Sequence, residues 1–252
     1  MVSGRKLKQI VSLRYKKYRD KHRLFVVEGM KSVQELLQSS FSVDEVILTT
    51  EVAKKFTMKS DRFVVVERNV MKKISSLATP PEILAIVKMP EESAVETFPD
   101  HADLCLLLDG IRDPGNLGSI IRLADWFGVK HIYCSLNTVD KYNPKVIQAT
   151  MGSLFRVAVH YCDLSYFLKN NRNKMELYAA TLDGDSLYST DFSKPVCVLL
   201  GNEAKGLSTS LKQIADHSIT IPGNGQAESL NVALAASAIV GEIRRQQLNP
   251  QK

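Results

Sequence analysis

Long apolar runs and clustered metal-binding residues are both missing from this chain of 252 residues. No stretch approaches the eighteen or more apolar residues that a membrane-spanning helix needs. The four cysteines have no CxxC spacing and the five histidines have no metal-ligand spacing, so no bound metal is expected. The basic N-terminus lacks the apolar stretch and cleavage site of a signal peptide. We therefore expect a cytoplasmic protein without a metal.

The motifs of two common classes of nucleotide-dependent enzyme are absent as well. No GxGxxG follows a strand-like run and no GxxxxGK[ST] occurs, which argues against a dinucleotide-binding or P-loop enzyme. Hydrophobic residues make up 44% of the chain and charged residues 24%, which predicts an ordinary globular protein with a sizeable core. Three of the cysteines, Cys105, Cys134 and Cys197, lie in apolar runs. We expect the cysteines to be small core residues in a reducing compartment rather than disulfide partners.

The positive charge is concentrated in the first 23 residues. This segment holds nine Lys or Arg against one Asp, a net +8, and because the whole chain carries +6 the remainder carries −2. A helix over the segment has an apolar stripe formed by Leu7, Ile10, Val11 and Tyr18. Its cations are either a solvated helix face or a contact to the phosphates of a nucleic acid. The candidate phosphate contacts are Arg5, Lys6, Lys8, Arg14, Lys16 and Lys17.

Strands and helices alternate in two blocks that meet near residue 95. The first block predicts a small α/β/α sandwich, with strands at 24–27, 43–49, 63–67 and 83–87 and helices at 30–38 and 69–76. Residues 90–99 contain three glutamates and no apolar period, which is typical of a linker. We predict two domains, residues 1–95 and residues 102–252.

The second block predicts a parallel sheet with helices on both faces, because near-continuous apolar strands alternate with helical segments. Its strands are expected at 104–108, 131–135, 177–180, 196–200 and 218–221. Its helices are expected at 117–127, 144–151, 164–170, 209–214 and 230–247. The predicted fold class is therefore α/β.

Three polar stretches in the second block each follow a predicted strand. They are DGIRDPGNLGSIIRLA (109–124), LLGNEAKGLS (199–208) and IPGNGQAESLNVALA (221–235). Because α/β proteins bind ligands at the carboxyl ends of their strands, we expect the three stretches to form one site. A single motif of this kind occurs by chance, but three in order, each between a strand and a helix or loop, form a specific pattern.

The set resembles the three motifs of the SpoU (TrmH-type) RNA 2'-O-ribose methyltransferases of the SPOUT superfamily. The matching residues are Asn116 and Arg122 in motif 1, Gly201, Asn202 and Glu203 in motif 2, and Ser229, Leu230, Asn231 and Val232 in motif 3. The stretch ATMGSLFR (149–156) also agrees, whereas Gly223 stands where the family usually has methionine. The resemblance implies a C-terminal SPOUT domain with a trefoil knot, preceded by an L30e-like domain that binds the RNA substrate.

The resemblance also implies a reaction, the transfer of a methyl group from S-adenosylmethionine to a ribose 2'-OH. Since a methyl group on a sulfonium is already activated, the transfer needs alignment of the reactants and neither a metal nor a covalent intermediate. The implied catalytic residues are Asn116, Arg122, Glu203, Ser229 and Asn231, and the implied cofactor-binding residues are Thr181, Leu200, Gly201, Ile221 and Leu230. Arg122 would hold the phosphate beside the target ribose, and whether it also helps to activate the hydroxyl stays open.

Simpler structural roles remain open for these residues. Asn116 and Ser229 are good helix caps, and Glu203 suits the start of a helix. From their apolar side chains alone, Ile221 and Leu230 are core residues.

The substrate and the assembly follow from the resemblance with alternatives. A separate N-terminal domain favours ribosomal RNA over tRNA, and a non-catalytic RNA-binding protein with the same fold is the less favoured alternative. The alanine-rich stretch 233–238 suits either the homodimer that the family forms through its C-terminal domain or packing within one chain.

Overall fold

The structure is a computed structural model that describes residues 3–54, 62–91, 94–192 and 195–248. Its helices are α1 (Gly4–Ser12), α2 (Lys16–His22), α3 (Met30–Leu37), α4 (Thr50–Ala53), α5 (Arg68–Ile74), α6 (Pro114–Trp126), α7 (Pro144–Thr150), α8 (Leu164–Asn170), α9 (Thr209–Ile214) and α10 (Val232–Leu248). Its strands are β1 (Leu24–Glu28), β2 (Val43–Thr49), β3 (Phe63–Val66), β4 (Ile83–Lys88), β5 (Leu104–Leu108), β6 (His131–Ser135), β7 (Ala158–Cys162), β8 (Glu176–Ser186), β9 (Val196–Leu200) and β10 (His217–Thr220). The chain divides into unit 1 (Met1–Glu92 with Asp140–Arg156) and unit 2 (Ser93–Val139 with Val157–Lys252).

Unit 1 is built on a four-stranded sheet in the order β1-β4-β2-β3. Strand β4 is antiparallel to both β1 and β2, and β3 runs parallel to β2. The core on one face joins α1 and α5 to the sheet, while α3 and α7 contact β1. The four strands predicted for this block are confirmed.

The N-terminal segment folds as two helices rather than one. Helix α1 ends before Leu13, and α2 begins at Lys16 after the extended residue Tyr15. Ile10 and Leu13 are each 1% exposed and belong to the same core as Met71 of α5. The apolar stripe is therefore structural, and removing the segment would remove part of the core.

Residues 140–156 pack with unit 1, although they lie far from it in the sequence. Tyr142 stacks on Phe25 with ring centroids 4.5 Å apart. Gly152 has a φ of +99°, and a Cβ built on it would lie 2.8 Å from the Cβ of Glu35. The carboxylate of Glu35 also pairs with Arg156. The domain bounds 1–95 and 102–252 stay a prediction, and the structure adds that unit 1 is discontinuous.

Unit 2 is built on a six-stranded parallel sheet in the order β10-β8-β9-β5-β6-β7. Every residue of β5 and β9 is buried, as expected for central strands of a covered parallel sheet. The parallel sheet and its five predicted strands are confirmed. The sequence did not predict β7, an edge strand in which only Val159 is buried, so its apolar signal is weak.

The outer strands of unit 2 pair irregularly. Ser218 of β10 pairs with Ala179 of β8, but Ile219 pairs with Asp185, so the residues between them on β8 leave the ladder. A Cβ on Gly184 would lie 2.5 Å from the backbone nitrogen of Ile219, which explains the glycine. The trefoil knot stays a prediction.

Three of the four cysteines are confirmed as core residues. Cys105, Cys134 and Cys197 are fully buried, Cys162 is partly exposed, and all four are free thiols. None of the helices in the described ranges is long and apolar enough to span a membrane.

Candidate active site

The three motifs lie at the carboxyl ends of three parallel strands of unit 2, two of which, β5 and β9, are neighbours, while β10 is separated from β9 by β8. Motif 1 follows β5, motif 2 follows β9, and motif 3 follows β10. Because parallel strands end at the same edge of a sheet, this edge gathers the polar residues that the sequence places after each strand.

Three of the five predicted catalytic residues are in direct contact. The side-chain amide of Asn116 donates a hydrogen bond of 2.5 Å to Glu203 Oε1. Asn231 Nδ2 donates in turn to Asn116 Oδ1 at 2.9 Å. These bonds join residues 87 and 115 positions apart, one from each motif. The expectation that the three motifs meet is therefore correct for these three residues.

The orientation of both amides follows from the start of α10. Asn231 Oδ1 accepts the backbone N–H of Ala233 at 2.9 Å and that of Leu234 at 3.4 Å, so its NH2 group is turned to Asn116. An oxygen of Asn116 must then face Asn231, which turns its own NH2 group to Glu203. The chain of hydrogen bonds thus fixes the carboxylate of Glu203 as an acceptor.

Three of the open structural roles can now be decided. The cap of α6 is Asp113, whose Oδ1 accepts the N–H of Asn116 at 2.9 Å, so Asn116 is not the capping residue. The side chain that caps α10 is Asn231, so the alternative that Ser229 caps this helix is wrong. Glu203 precedes a turn rather than a helix, since the next helix begins at Thr209.

Arg122 and Ser229 stand apart from this hydrogen-bonded chain. Both side chains are exposed, and neither makes a hydrogen bond or ion pair to any residue that the structure describes. Arg122 lies on the outer face of α6, six residues after Asn116. Its guanidinium group is therefore available to an anion, as the phosphate role requires.

Two positioning residues at this edge were missed by the sequence analysis as individual sites. Asn202 Nδ2 donates to the carbonyl of Gly110 at 2.8 Å and to Glu203 Oε2 at 3.2 Å. Asp109 Oδ2 accepts the N–H of Ser208 at 2.9 Å. The bonds of Asn202 to Gly110 and of Ser208 to Asp109 tie motif 1 to motif 2. Their positions in the sequence could have identified them, because Asp109 directly follows β5 and Asn202 closely follows β9.

Gly201 has a structural reason to be glycine. A Cβ at this position would overlap the backbone of Gly206 and Leu207, where the chain turns back and Asn202 bridges to Gly206. This steric requirement is independent of the cofactor, and the contact of Gly201 to the cofactor stays a prediction.

The other cofactor candidates lie around β8 and the loop after β10. Thr181 lies in the part of β8 that leaves the ladder, and its hydroxyl is buried without a hydrogen-bond partner among the described residues. Leu230 is 51% exposed and Ile221 is partly exposed, so neither is the core residue that its side chain suggests, whereas Leu200 is buried. A nucleoside-containing ligand would satisfy both the unpartnered buried hydroxyl of Thr181 and the exposed apolar side chain of Leu230. The described residues contain no group of three or more side chains suited to a metal.

The predicted phosphate contacts lie in unit 1, and some of these cations already bind acidic side chains or carbonyl groups of the chain itself. Lys6 is partly buried and lies 3.6 Å from Asp44 and 3.4 Å from Glu45. Lys16 lies 2.9 Å from Asp20, and the guanidinium group of Arg14 donates to the carbonyl of Ser75. The exposed cations without such a partner in the described structure are Arg5 and Lys8, whereas Lys17 lies over the ring of Tyr18.

Comparison with known proteins identifies the family. The profile of the SpoU rRNA Methylase family matches residues 103–241, and that of the MRM3-like substrate binding domain matches residues 5–85. The chain belongs to the SpoU rRNA methylase family. The predicted family and α/β fold class are thereby confirmed.

Relatives of known sequence or structure cover nearly the whole chain. The 23S rRNA (guanosine(2553)-2'-O)-methyltransferase RlmP of Bacillus subtilis is 31% identical over 96% of both chains. The SpoU methyltransferase AviRb from Streptomyces viridochromogenes, solved in complex with AdoMet, is 26% identical with a TM-score of 0.87, over 99% of this chain and 100% of that one. The AdoMet-bound rRNA methyltransferase from Sinorhizobium meliloti is 30% identical with a TM-score of 0.85, over 98% of this chain and 97% of that one.

Proposed function

We propose that this SpoU methylase transfers a methyl group from S-adenosylmethionine to a ribose 2'-OH of ribosomal RNA. The observation that carries the proposal is the hydrogen-bonded chain Asn231–Asn116–Glu203, which joins all three family motifs at the ligand-binding edge of the sheet. Relatives named as 23S rRNA 2'-O-methyltransferases, RlmP among them, support the ribosomal substrate.

The bound cofactor supplies an activated methyl group, and the residues of this chain supply position and charge. Thr181 Oγ1 has an unused hydrogen-bonding capacity, and the exposed side chain of Leu230 offers an apolar surface. The backbone near Gly201, Leu200 and Ile221 completes the cradle for the adenine and methionine parts.

Arg122 and Glu203 divide the work on the RNA. Arg122 is exposed and unpaired within the described structure, so it can grip a phosphate beside the target ribose through two N–H groups. Glu203 is held by two amide donors and by no cation of the described residues, so its carboxylate is open to the reacting end of the substrate or the cofactor. Ser229 and Asn231 position the ribose from the other side.

Helices α6 and α10 pack against each other within the chain. We also infer a homodimer that forms through the outer faces of these two helices. Trp126 at the end of α6 is 85% exposed, and Leu234 on α10 is 62% exposed. Light scattering should report a dimer for the native chain and a monomer for Trp126→Glu. A native monomer would contradict this inference.

The experiment that tests the reaction is a map of ribose methylation in total RNA from cells with and without the gene. We expect one 2'-O-methyl mark to be lost from ribosomal RNA, in the cytoplasm where the ribosomes are. Loss of a tRNA mark would support the second candidate substrate instead. Purified protein should methylate unmodified RNA from the deletion strain in the presence of a chelator. A product methylated on a base, or a requirement for added metal, would contradict the proposal.

A further inference from the structure

The joint between α1 and α2 presents one aromatic ring to solvent. Tyr15 is 64% exposed, and every other aromatic side chain in the described part of unit 1 is buried or only partly exposed. It lies inside the most basic segment of the chain, directly between Arg14 and Lys16, with Lys17 next. Exposed aromatic rings between cations are the usual composition of a surface that binds single-stranded nucleic acid.

The backbone that carries this ring is fixed. The N–H of Tyr15 donates to Ser12 at 3.0 Å, and its carbonyl accepts the N–H groups of Tyr18 at 3.0 Å and Arg19 at 3.2 Å. Every backbone hydrogen-bonding group of Tyr15 is therefore used. The ring projects from a rigid turn, so stacking a base on it would cost little conformational entropy.

The buried side chain of Arg19 stabilises the joint between α1 and α2. Arg19 is 2% exposed, and its Nη1 donates to the carbonyls of Leu13 at 3.0 Å and Arg14 at 2.9 Å. The other side of its guanidinium group binds Asp140 Oδ2 through Nε at 3.1 Å and Nη2 at 2.5 Å. The side chain of Arg14 extends away to the carbonyl of Ser75. The joint is thus built in advance, with only Tyr15 and the lysines left for a ligand.

We propose that this joint is a contact site for an unpaired nucleotide of the RNA substrate, in which the ring of Tyr15 stacks on the base and Lys16 and Lys17 bind the flanking phosphates. The proposal rests on the proposed function, since it names a single-stranded element of that RNA. The ion pair of Lys16 with Asp20 does not oppose it, because both side chains are more than half exposed and such pairs are weak.

The test measures binding of the full chain to two probes, a short oligo(U) strand and a fully paired RNA duplex. Tyr15→Leu should weaken binding to oligo(U) by at least about fivefold, which corresponds to the roughly 1 kcal/mol minimum for one stacked base. Its affinity for the duplex should not change, and Tyr15→Phe should retain both affinities. Lys16→Gln with Lys17→Gln should instead lower the salt slope on both probes, by roughly 0.7 per lost phosphate contact on oligo(U) and about 0.9 on the duplex.

Tyr188→Leu is the matched control, because Tyr188 is 63% exposed but lies in unit 2 near acidic residues of β8. It should leave both affinities unchanged. The stacking proposal is overturned if native protein fails to bind oligo(U) at low salt, if Tyr15→Leu binds it as the native chain does, or if that variant weakens both probes equally. An effect of Tyr188→Leu as large as that of Tyr15→Leu also overturns it. Methyl transfer by the native chain, assayed in parallel on unmodified ribosomal RNA, reports on the proposed function separately.

Discussion

Units 1 and 2 place their polar groups in opposite ways. Of the ten buried polar or charged residues of the described structure, eight lie in unit 1, including Arg19, which binds Asp140. Glu28 of unit 1 is 6% exposed and accepts hydrogen bonds from Ser75 and Ser76. In unit 2 the core strands are apolar, and the polar network lies at the exposed edge. Polar substitutions should therefore cost stability in unit 1 and activity in unit 2.

The largest expected effect is that of Arg19→Ala in unit 1. The substitution leaves Asp140 and the carbonyls of Leu13 and Arg14 without their donor, and breaking a buried pair from one side typically costs about 3–5 kcal/mol. Urea denaturation should show this loss, while the exposed control Arg5→Ala changes the free energy of unfolding by no more than ~0.5 kcal/mol. Equal stabilities of the two variants would break the comparison.

Arg122→Ala should show the reverse pattern in unit 2. Turnover should fall at least about a hundredfold, on the order of 2.7 kcal/mol of lost transition-state stabilisation. The free energy of unfolding and the affinity for S-adenosylmethionine should stay nearly constant, because the side chain is exposed and unpaired among the described residues. Single-turnover kinetics and a cofactor titration measure the two effects. Arg172→Ala, also exposed and in unit 2, is the control and should keep native turnover.

Asn231 sharpens the comparison because it has one structural and one site contact. Asn231→Ala loses the cap of α10, at a cost of about 1 kcal/mol, together with the bond to Asn116. Asn231→Asp keeps an acceptor at the helix start but has no amide to donate to Asn116. Thermal denaturation should therefore find only the alanine variant destabilised, whereas both variants lose turnover. Native turnover in Asn231→Asp would remove the hydrogen-bonded chain from the mechanism.

The smallest expected effect is on the reactivity of the thiols in unit 2, and it is measured on the native chain without any substitution. Burial, with a contribution from Asp103, raises the pKa of Cys105 to about 12. Burial and Asp163 raise the pKa of the partly exposed Cys162 to about 11. Since the thiolate is the reactive form, labelling of the native chain near pH 8 should be slow at both sites and should accelerate as pH rises toward these values. Rapid labelling of Cys105 in the native protein would show that the core of unit 2 opens locally.

The sequence predicted those features that depend on local pattern. Continuous apolar runs identified β5 and β9, and the rule that parallel strands end at one edge brought Asn116, Glu203 and Asn231 together correctly. Edge strand β7 was missed because it is short, buries only Val159 and has His160 at its centre, which interrupts the apolar signal.

Features that depend on distant partners were beyond the sequence. Arg19 looked like one more surface cation, because its partner Asp140 is 121 residues away. Arg14 was assigned to phosphate on the same ground, but its guanidinium group holds the end of α5. The jump in pairing between β8 and β10 likewise arises from the packing of two strands and has no local signal beyond Gly184.

The stretch from Asp140 to Arg156 has a consequence for how such proteins can be recombined. This stretch lies within the methylase half of the sequence, but it packs with unit 1 through Tyr142, Gly152 and Arg156. A chimera of two relatives joined only near residue 95 would therefore combine unit 1 of one protein with the 140–156 stretch of the other. Exchange of unit 1 between relatives would then succeed only if residues 140–156 moved with it. Two separated stretches of the chain thus form one compact unit.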